Sequence, residues 1–125
     1  TGVQTCALPI LKVDYKNEKS FFWRDNSILK YKGKVFSGQI FENFRNGKLK
    51  YIETYLSGKM EGIHEGFYKS GIKKFSHGHK NGLEDGRFEY YFKNGVLSQK
   101  GLTVAGKTES IEIFDKRGIK KIKNK

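Results

Sequence analysis

The sequence predicts an all-β protein: an antiparallel meander of 24-residue β-hairpin repeats forming an extended, twisted single-layer sheet. Three observations predict it. Glycines recur in three series, Gly38, Gly62 and Gly86 (then Ser110), Gly47, Gly71 and Gly95, and Gly58, Gly82 and Gly106, each with a period of 24. A fixed period of that size in one register is the signature of a repeat architecture. Short apolar-aromatic runs alternate with turn dipeptides between those glycines, and two strands plus two turns fill a unit and leave no room for a helix. Finally, ten Phe, seven Tyr and fifteen Gly stand in a chain that is only 36% hydrophobic. That balance suits short strands and tight turns better than a deep core.

The elements follow in chain order. Thr1 to Ile10 resembles the translation of a common short-read sequencing adapter, which implies a non-native segment to be set aside from fold reasoning. Cys6 and Pro9 are the only Cys and Pro, so the remainder is expected to hold no disulfide and no Cys-based metal site. Met60 is the only methionine; the native N-terminus is therefore expected to be missing, and a signal peptide would have gone with it. No run is apolar enough to span a membrane, and the cytoplasm is the default compartment.

Residues 11–37 read as an N-terminal segment and a degenerate first repeat, with Asp25-Asn26-Ser27 as its turn and Leu29 to Phe36 as a strand around Gly33. Residues 38–118 are the hairpin repeats. Their first strands are centred on Ile40 to Phe44, Phe67-Tyr68, Phe88 to Phe92 and Ile111 to Phe114. The turns are Asn46-Gly47, Ser70-Gly71, Asn94-Gly95 and Arg117-Gly118, the last in a unit one residue shorter. Asn-Gly predicts type I′ turns, with positive φ at both central residues. Second turns follow around Gly58-Lys59, Gly82-Leu83 and Gly106-Lys107. Residues 119–125, with Lys120, Lys121, Lys123 and Lys125, read as a basic tail that caps the sheet or frays.

Several of these stretches carry a family resemblance. Phe-Arg-Asn-Gly-Lys-Leu-Lys at 44–50, Tyr55-Leu56-Ser57-Gly58-Lys59 and Tyr90-Tyr91-Phe92-Lys93-Asn94-Gly95 resemble the variant MORN repeat. Leu29 to Gly38 resembles the start of the YwqK-type antitoxin family built from such repeats. The resemblance covers roughly residues 25 to 118. It implies a bacterial protein-binding module, the antitoxin of a toxin–antitoxin pair that acts by binding the toxin. MORN-type modules more widely bind proteins or anionic lipid, and fold alone does not assign function. The second unit departs from the pattern, with Lys73 where Leu49 and Leu97 stand and His79 where Tyr55 stands.

The turns set a register. The expected rows are Phe44, Leu49, Tyr68, Lys73, Phe92, Leu97; then Glu42, Tyr51, Gly66, Phe75, Tyr90, Gln99; then Ile40, Glu53, His64, His77, Phe88, Gly101. All share one face, because side chains alternate with period two. That face gathers the partner-binding candidates Phe44, Tyr51, Tyr55, Tyr68, Phe75, Phe88, Tyr90 and Phe92. Large aromatic patches mark interaction sites. The competing reading is that sheet curling, or a homodimer through this face, covers the rings, since cross-strand aromatic ladders stabilise sheets by themselves.

The other face carries the anionic-surface candidates Arg45, Lys48, Lys50, Lys74, Arg87 and Lys93, in a chain of net charge +12. Phospholipid or nucleic acid would suit them; lysines that keep a sheet soluble and guard its edges are the plainer alternative.

The same register sets His64 across from His77, with His79 two residues on and Glu53 on the far side of His64. Three imidazoles and a carboxylate can ligate zinc. They can equally be amphipathic rings filling a partly polar row, and no HExxH-type spacing favours metal. The expectation is therefore no metal, no cofactor and no catalytic residues. No Gly-x-Ser-x-Gly, Walker or Cys-nucleophile signature is present, and acids beside turns, such as Glu84-Asp85 and Glu109, are ordinarily just solvated.

Overall fold

The computed structural model describes residues 11–121. The adapter-like segment 1–10 lies outside the described residues, as do residues 122–125 of the basic tail. The strands are β1 (Lys12–Asp14), β2 (Phe22–Asp25), β3 (Ile28–Tyr31), β4 (Lys34–Val35), β5 (Gly38–Asn43), β6 (Leu49–Leu56), β7 (Lys59–Met60), β8 (Gly62–Phe67), β9 (Lys73–Lys80), β10 (Leu83–Tyr91), β11 (Leu97–Val104) and β12 (Lys107–Ile113). One short helix, α1 (Tyr15–Glu18), and a 3-10 turn (Lys19–Phe21) link β1 to β2.

The repeats form the expected open meander. β5, β6, β8, β9, β10, β11 and β12 lie side by side in chain order, and each neighbouring pair is antiparallel. The sheet is not closed into a barrel. Its first edge is covered by β1, which pairs parallel to β5, Val13 against Ile40. β1, three residues long, is then the terminal strand on that side, and so short an edge offers little to recruit a foreign strand.

Each unit uses two turn chemistries. At the first, Gly47 N–H donates to Phe44 O at 2.9 Å and Phe44 N–H to Lys48 O at 2.8 Å. Gly47 has φ +86° while Asn46 stays out of the positive region. This is a type I turn with a glycine bulge, not the type I′ turn expected. The Asn46 side chain supports it, its Oδ1 accepting from Lys48 N–H at 2.9 Å and its Nδ2 donating to Lys69 O of the next unit at 3.0 Å. The type I′ geometry appears instead at the second turns, Ser57-Gly58, Asn81-Gly82 and Ala105-Gly106, where both residues have positive φ. They sit one residue earlier than expected, with Leu56 paired to Lys59 and Lys80 to Leu83. Lys32-Gly33 is also such a turn, so the expected strand from Leu29 to Phe36 breaks there into β3 and β4.

Successive units are stitched by a repeated hydrogen bond. Ser37 Oγ accepts from Ser57 N–H at 2.8 Å, Glu61 Oε1 from Asn81 N–H at 2.9 Å, and Asp85 Oδ1 from Ala105 N–H at 2.9 Å. Asp85 is thus the brace of the following turn, where the sequence suggested mere solvation. Such nearest-neighbour couplings are what hold a repeat array together.

Among the described residues a second layer exists at one end only. β2, β3 and β4 form their own three-stranded sheet, held to the repeats by Leu29 N–H to Gly58 O at 2.9 Å and Gly58 N–H to Phe36 O at 2.7 Å. Val13, Leu29, Phe36, Ile40 and Tyr55 are buried together there, with Tyr15, Phe22, Tyr31, Tyr51 and Met60 packed around them. Phe22, Tyr31 and Phe36 stack or meet edge-on at centroid distances of 4.6 to 5.7 Å. Each fully buried apolar side chain of this kind stabilises by roughly 1.5–3 kcal/mol. Among the described residues no helix is long and apolar enough to cross a membrane.

Candidate functional site, an aromatic and imidazole face

The centre of the repeat sheet keeps the expected register. Ile40 pairs with Glu53, Glu42 with Tyr51, Tyr51 with Gly66, Gly66 with Phe75, Phe75 with Tyr90 and Tyr90 with Gln99. His64 pairs with His77, His77 with Phe88 and Phe88 with Gly101. The row nearest the first turns does not form. Asn43 pairs with Leu49, Phe67 with Lys73 and Tyr91 with Leu97, because a bulge beside each turn slips the register by one.

That slip redistributes the cations. Lys50 Nζ lies 3.7 Å from Glu42 Oε2 and 5.9 Å from the Phe44 centroid. Lys74 Nζ lies 5.7 Å from the Tyr68 centroid. Both were placed on the opposite face by strict alternation, yet they reach rings of the aromatic one. Lys73, placed with the aromatics, pairs instead with Glu65 at 3.0 Å. Arg45, Lys48, Lys93 and Arg87 are exposed. The first three sit in the first turns, Arg87 on β10.

The eight aromatic candidates divide into three groups. Tyr55, 4% exposed, belongs to the terminal core, and Tyr51 packs against it. Burial and the Glu53 charge push the Tyr55 hydroxyl up to about 12; burial and the charges of Glu42 and Glu53 also raise Tyr51. Tyr55 Oη donates to Glu53 Oε1 at 2.9 Å and accepts from Arg24 Nη2 at 3.3 Å. These two rings are committed to packing. Phe44, Tyr68 and Phe92 lie by the first turns, half-buried, with Tyr68 Oη donating to Tyr91 O at 2.7 Å.

Phe75, Phe88 and Tyr90 form the third group, in mid-sheet, where the N-terminal layer does not reach. Phe75 lies over Gly66 and Phe88 over Gly101, so a Cβ at either glycine would meet the ring. A bare backbone beneath a ring lets the aromatic lie across the strand. Phe88 is buried, while Phe75 and Tyr90 are half-exposed. Phe75 sits 6.2 Å from Tyr90 between centroids, and Tyr90 sits 6.2 Å from Phe88.

The three histidines complete this group. His64 lies 5.0 Å from Phe75 and His77 lies 5.1 Å from Tyr90, edge-on in both cases. The imidazole centroids are 6.0, 6.0 and 6.1 Å apart. His64 Nε2 is 3.5 Å from Glu53 Oε2 and His77 Nδ1 is 3.9 Å from Glu84 Oε2. Burial, then the neighbouring His77 and His79, hold His64 down at about 4; burial also lowers His77 against the pull of Glu84. The two therefore stand neutral at pH 7.

Neither a family model, nor a curated protein, nor a solved structure matches the chain.

The site is thus read from its own geometry. Sequence spacing brought the histidines together on one face and named Glu53. It missed Glu84, which reaches His77 because β10 bulges opposite Gly78. His79 pairs with Glu84 and His77 with Phe88, so three residues of β10 face one of β9. A Cβ on Gly78 would collide with Asp85 O; the glycine between two histidines was the available signal of a close backbone approach.

Proposed function

We propose that the protein is a non-catalytic protein-binding repeat module whose partner docks on the mid-sheet aromatic face, and that the partner is the toxin of a bacterial toxin–antitoxin pair. One observation carries the binding reading. Phe75, Tyr90, His64 and His77 form a continuous set of half-buried rings on the part of the face that the N-terminal sheet leaves open. A single-layer sheet needs a cover for its apolar face, and partly exposed aromatics with few rotamers are the side chains that dominate binding energy. The toxin as partner follows from the resemblance to YwqK-type antitoxins.

The test is neutralisation and direct binding of the product of the adjacent small open reading frame. Phe75→Ala with Tyr90→Ala should weaken binding by at least about 2 kcal/mol, near thirtyfold, as for hot-spot rings. Full-strength binding by the folded double variant would overturn the aromatic-face reading. Concentration-dependent sedimentation of the isolated chain, lost in the same variant, would show that a second copy covers this face instead.

A second reading, an anionic-surface binder, is favoured by the first-turn edge. Arg45 and Lys48, then Lys69, then Lys93, then Lys116 and Arg117 occupy successive turns there. Asn46 Nδ2 donates to Lys69 O, Lys48 Nζ to Ser70 O and Asn94 Nδ2 to Lys116 O, at 3.0 to 3.1 Å. Each unit advances two strands, so the cations recur about every 10 Å. Binding to anionic vesicles or single-stranded nucleic acid that collapses from low to moderate salt would support it. Arg45 and Lys93 to Gln should then reduce binding while Phe75→Ala leaves it intact.

A further inference from the structure

We propose that the imidazole cluster is a site for one divalent transition ion of the zinc type, with His77, His79 and Glu84 as ligands and His64 in the fourth position. This goes beyond the docking reading and does not depend on it.

One donor atom from each of His77, His79 and Glu84 lies within 4.8 Å of the other two. The positions follow from the backbone. His77 and His79 are two apart on β9 and so share a face, and Glu84 is the direct partner of His79 across the bulge. His64, the partner of His77 on β8, closes a nearly equilateral triangle of imidazoles. The centre of that triangle is about 3.5 Å from each ring centroid. Zn–N bonds of about 2.0–2.1 Å place a metal ~3.2 Å from the centroid of a ligating ring, so the spacing suits an ion once each ring turns a nitrogen toward the centre. The Glu84 carboxylate is half-exposed and free to turn with them.

A second observation points to a ligand. His77 Nε2 and His79 Nδ1 are buried and have no hydrogen-bond partner among the described residues. Buried imidazole nitrogens are ordinarily satisfied, and orphans of this kind call for an explanation. Glu53, 3.5 Å from His64 Nε2, stands where a carboxylate orients a ligating histidine through its other nitrogen. Imidazole with one carboxylate selects zinc, copper, nickel or iron over magnesium and calcium.

The experiment uses the full chain carrying Cys6→Ser, stripped with chelator, and Zn²⁺ alone as the probe. Calorimetry should show one ion bound per chain and scanning fluorimetry a higher melting temperature, with Mg²⁺ producing neither. Co²⁺ in place of Zn²⁺ should give the visible absorption of a four-coordinate site. His79→Ala should weaken Zn²⁺ binding by at least about 100-fold, and Glu53→Gln by about 10-fold. Glu84→Gln, on an exposed side chain that the fold does not need, should weaken binding and change the Co²⁺ spectrum without altering the circular dichroism. Absence of stoichiometric Zn²⁺ uptake, or affinity unchanged in both His79→Ala and Glu84→Gln, overturns the proposal. All readouts are made without a partner, so they succeed or fail separately from the docking assay.

Discussion

His64 on β8 and His77 on β9 are direct cross-strand partners, and their rings stand 6.0 Å apart. The repeat shows how unusual that is. The position of His64 is Ile40 in the unit before and Phe88 in the unit after, both buried and apolar.

The first prediction follows from that comparison. His64→Ile restores the residue of the preceding unit and removes a desolvated imidazole. Removing such a group should raise the stability of the metal-free protein by about 1 kcal/mol, read as a higher urea midpoint at neutral pH. The same variant should lose zinc-dependent stabilisation. A lower midpoint for metal-free His64→Ile would mean that the imidazole is a well-satisfied structural side chain.

Gly78 gives the second prediction. Its place between His77 and His79 lets the β10 backbone at Asp85 come in close. Gly78→Ala must push the bulge outward, at a cost of roughly 1–3 kcal/mol, and carry Glu84 away from the histidines. Gly47→Ala is the comparison, since a Cβ there meets nothing within 4 Å but φ is +86°. Both should lower the melting temperature, and only Gly78→Ala should also weaken Zn²⁺ binding. Equal zinc affinity in the two variants would separate Glu84 from the site.

The sequence made the meander legible because the glycine period, the turn dipeptides and strand alternation all specify the same strand order. It also made the imidazole cluster legible, since His77 and His79 are two apart and His64 falls across from His77 in any register that keeps Gly66 opposite Phe75. What stayed hidden is local backbone choice. Asn46-Gly47 serves a type I′ turn or a type I turn with a glycine bulge equally well, and the difference of one residue moves Lys50 and Lys74 to the rings of Phe44 and Tyr68. The small second sheet was hidden for a related reason. Gly33 looked like a glycine inside a strand, whereas Lys32-Gly33 turns the chain back after only four residues of β3, too soon to continue the long repeat strands.

The inter-unit braces give the third prediction. Asp85→Ala removes the acceptor for Ala105 N–H and should cost about 1 kcal/mol. The loss should be local, because nearest-neighbour coupling is the main link between units. Hydrogen exchange should therefore quicken at the Ala105-Gly106 turn and along β12, with little change in β5 and β6. Uniform acceleration across the whole sheet would show that the array unfolds as one unit and that the brace has no separate role.

The fourth prediction concerns alkaline pH. The Tyr55 hydroxyl, at 10.0 in the unfolded chain, is held up at about 12 in the fold by burial, by the Glu53 charge and by its bond to Glu53, with Arg24 opposing. Tyr51 is raised in the same direction. A folded value above the unfolded one means that the native state keeps a proton the unfolded state gives up. Its stabilising effect is fully present below pH 10 and is lost as pH rises from 10 through about 12. Tyr55 alone accounts for on the order of 2–3 kcal/mol over that window. Urea midpoints should be level up to about pH 10 and fall steeply above it, and Tyr55→Phe should flatten the fall. Near-ultraviolet tyrosinate absorbance should include a late wave from Tyr51 and Tyr55. A single wave near pH 10 with the midpoint unchanged would show that Tyr55 is open to solvent, and that the N-terminal sheet does not seal this end of the aromatic face.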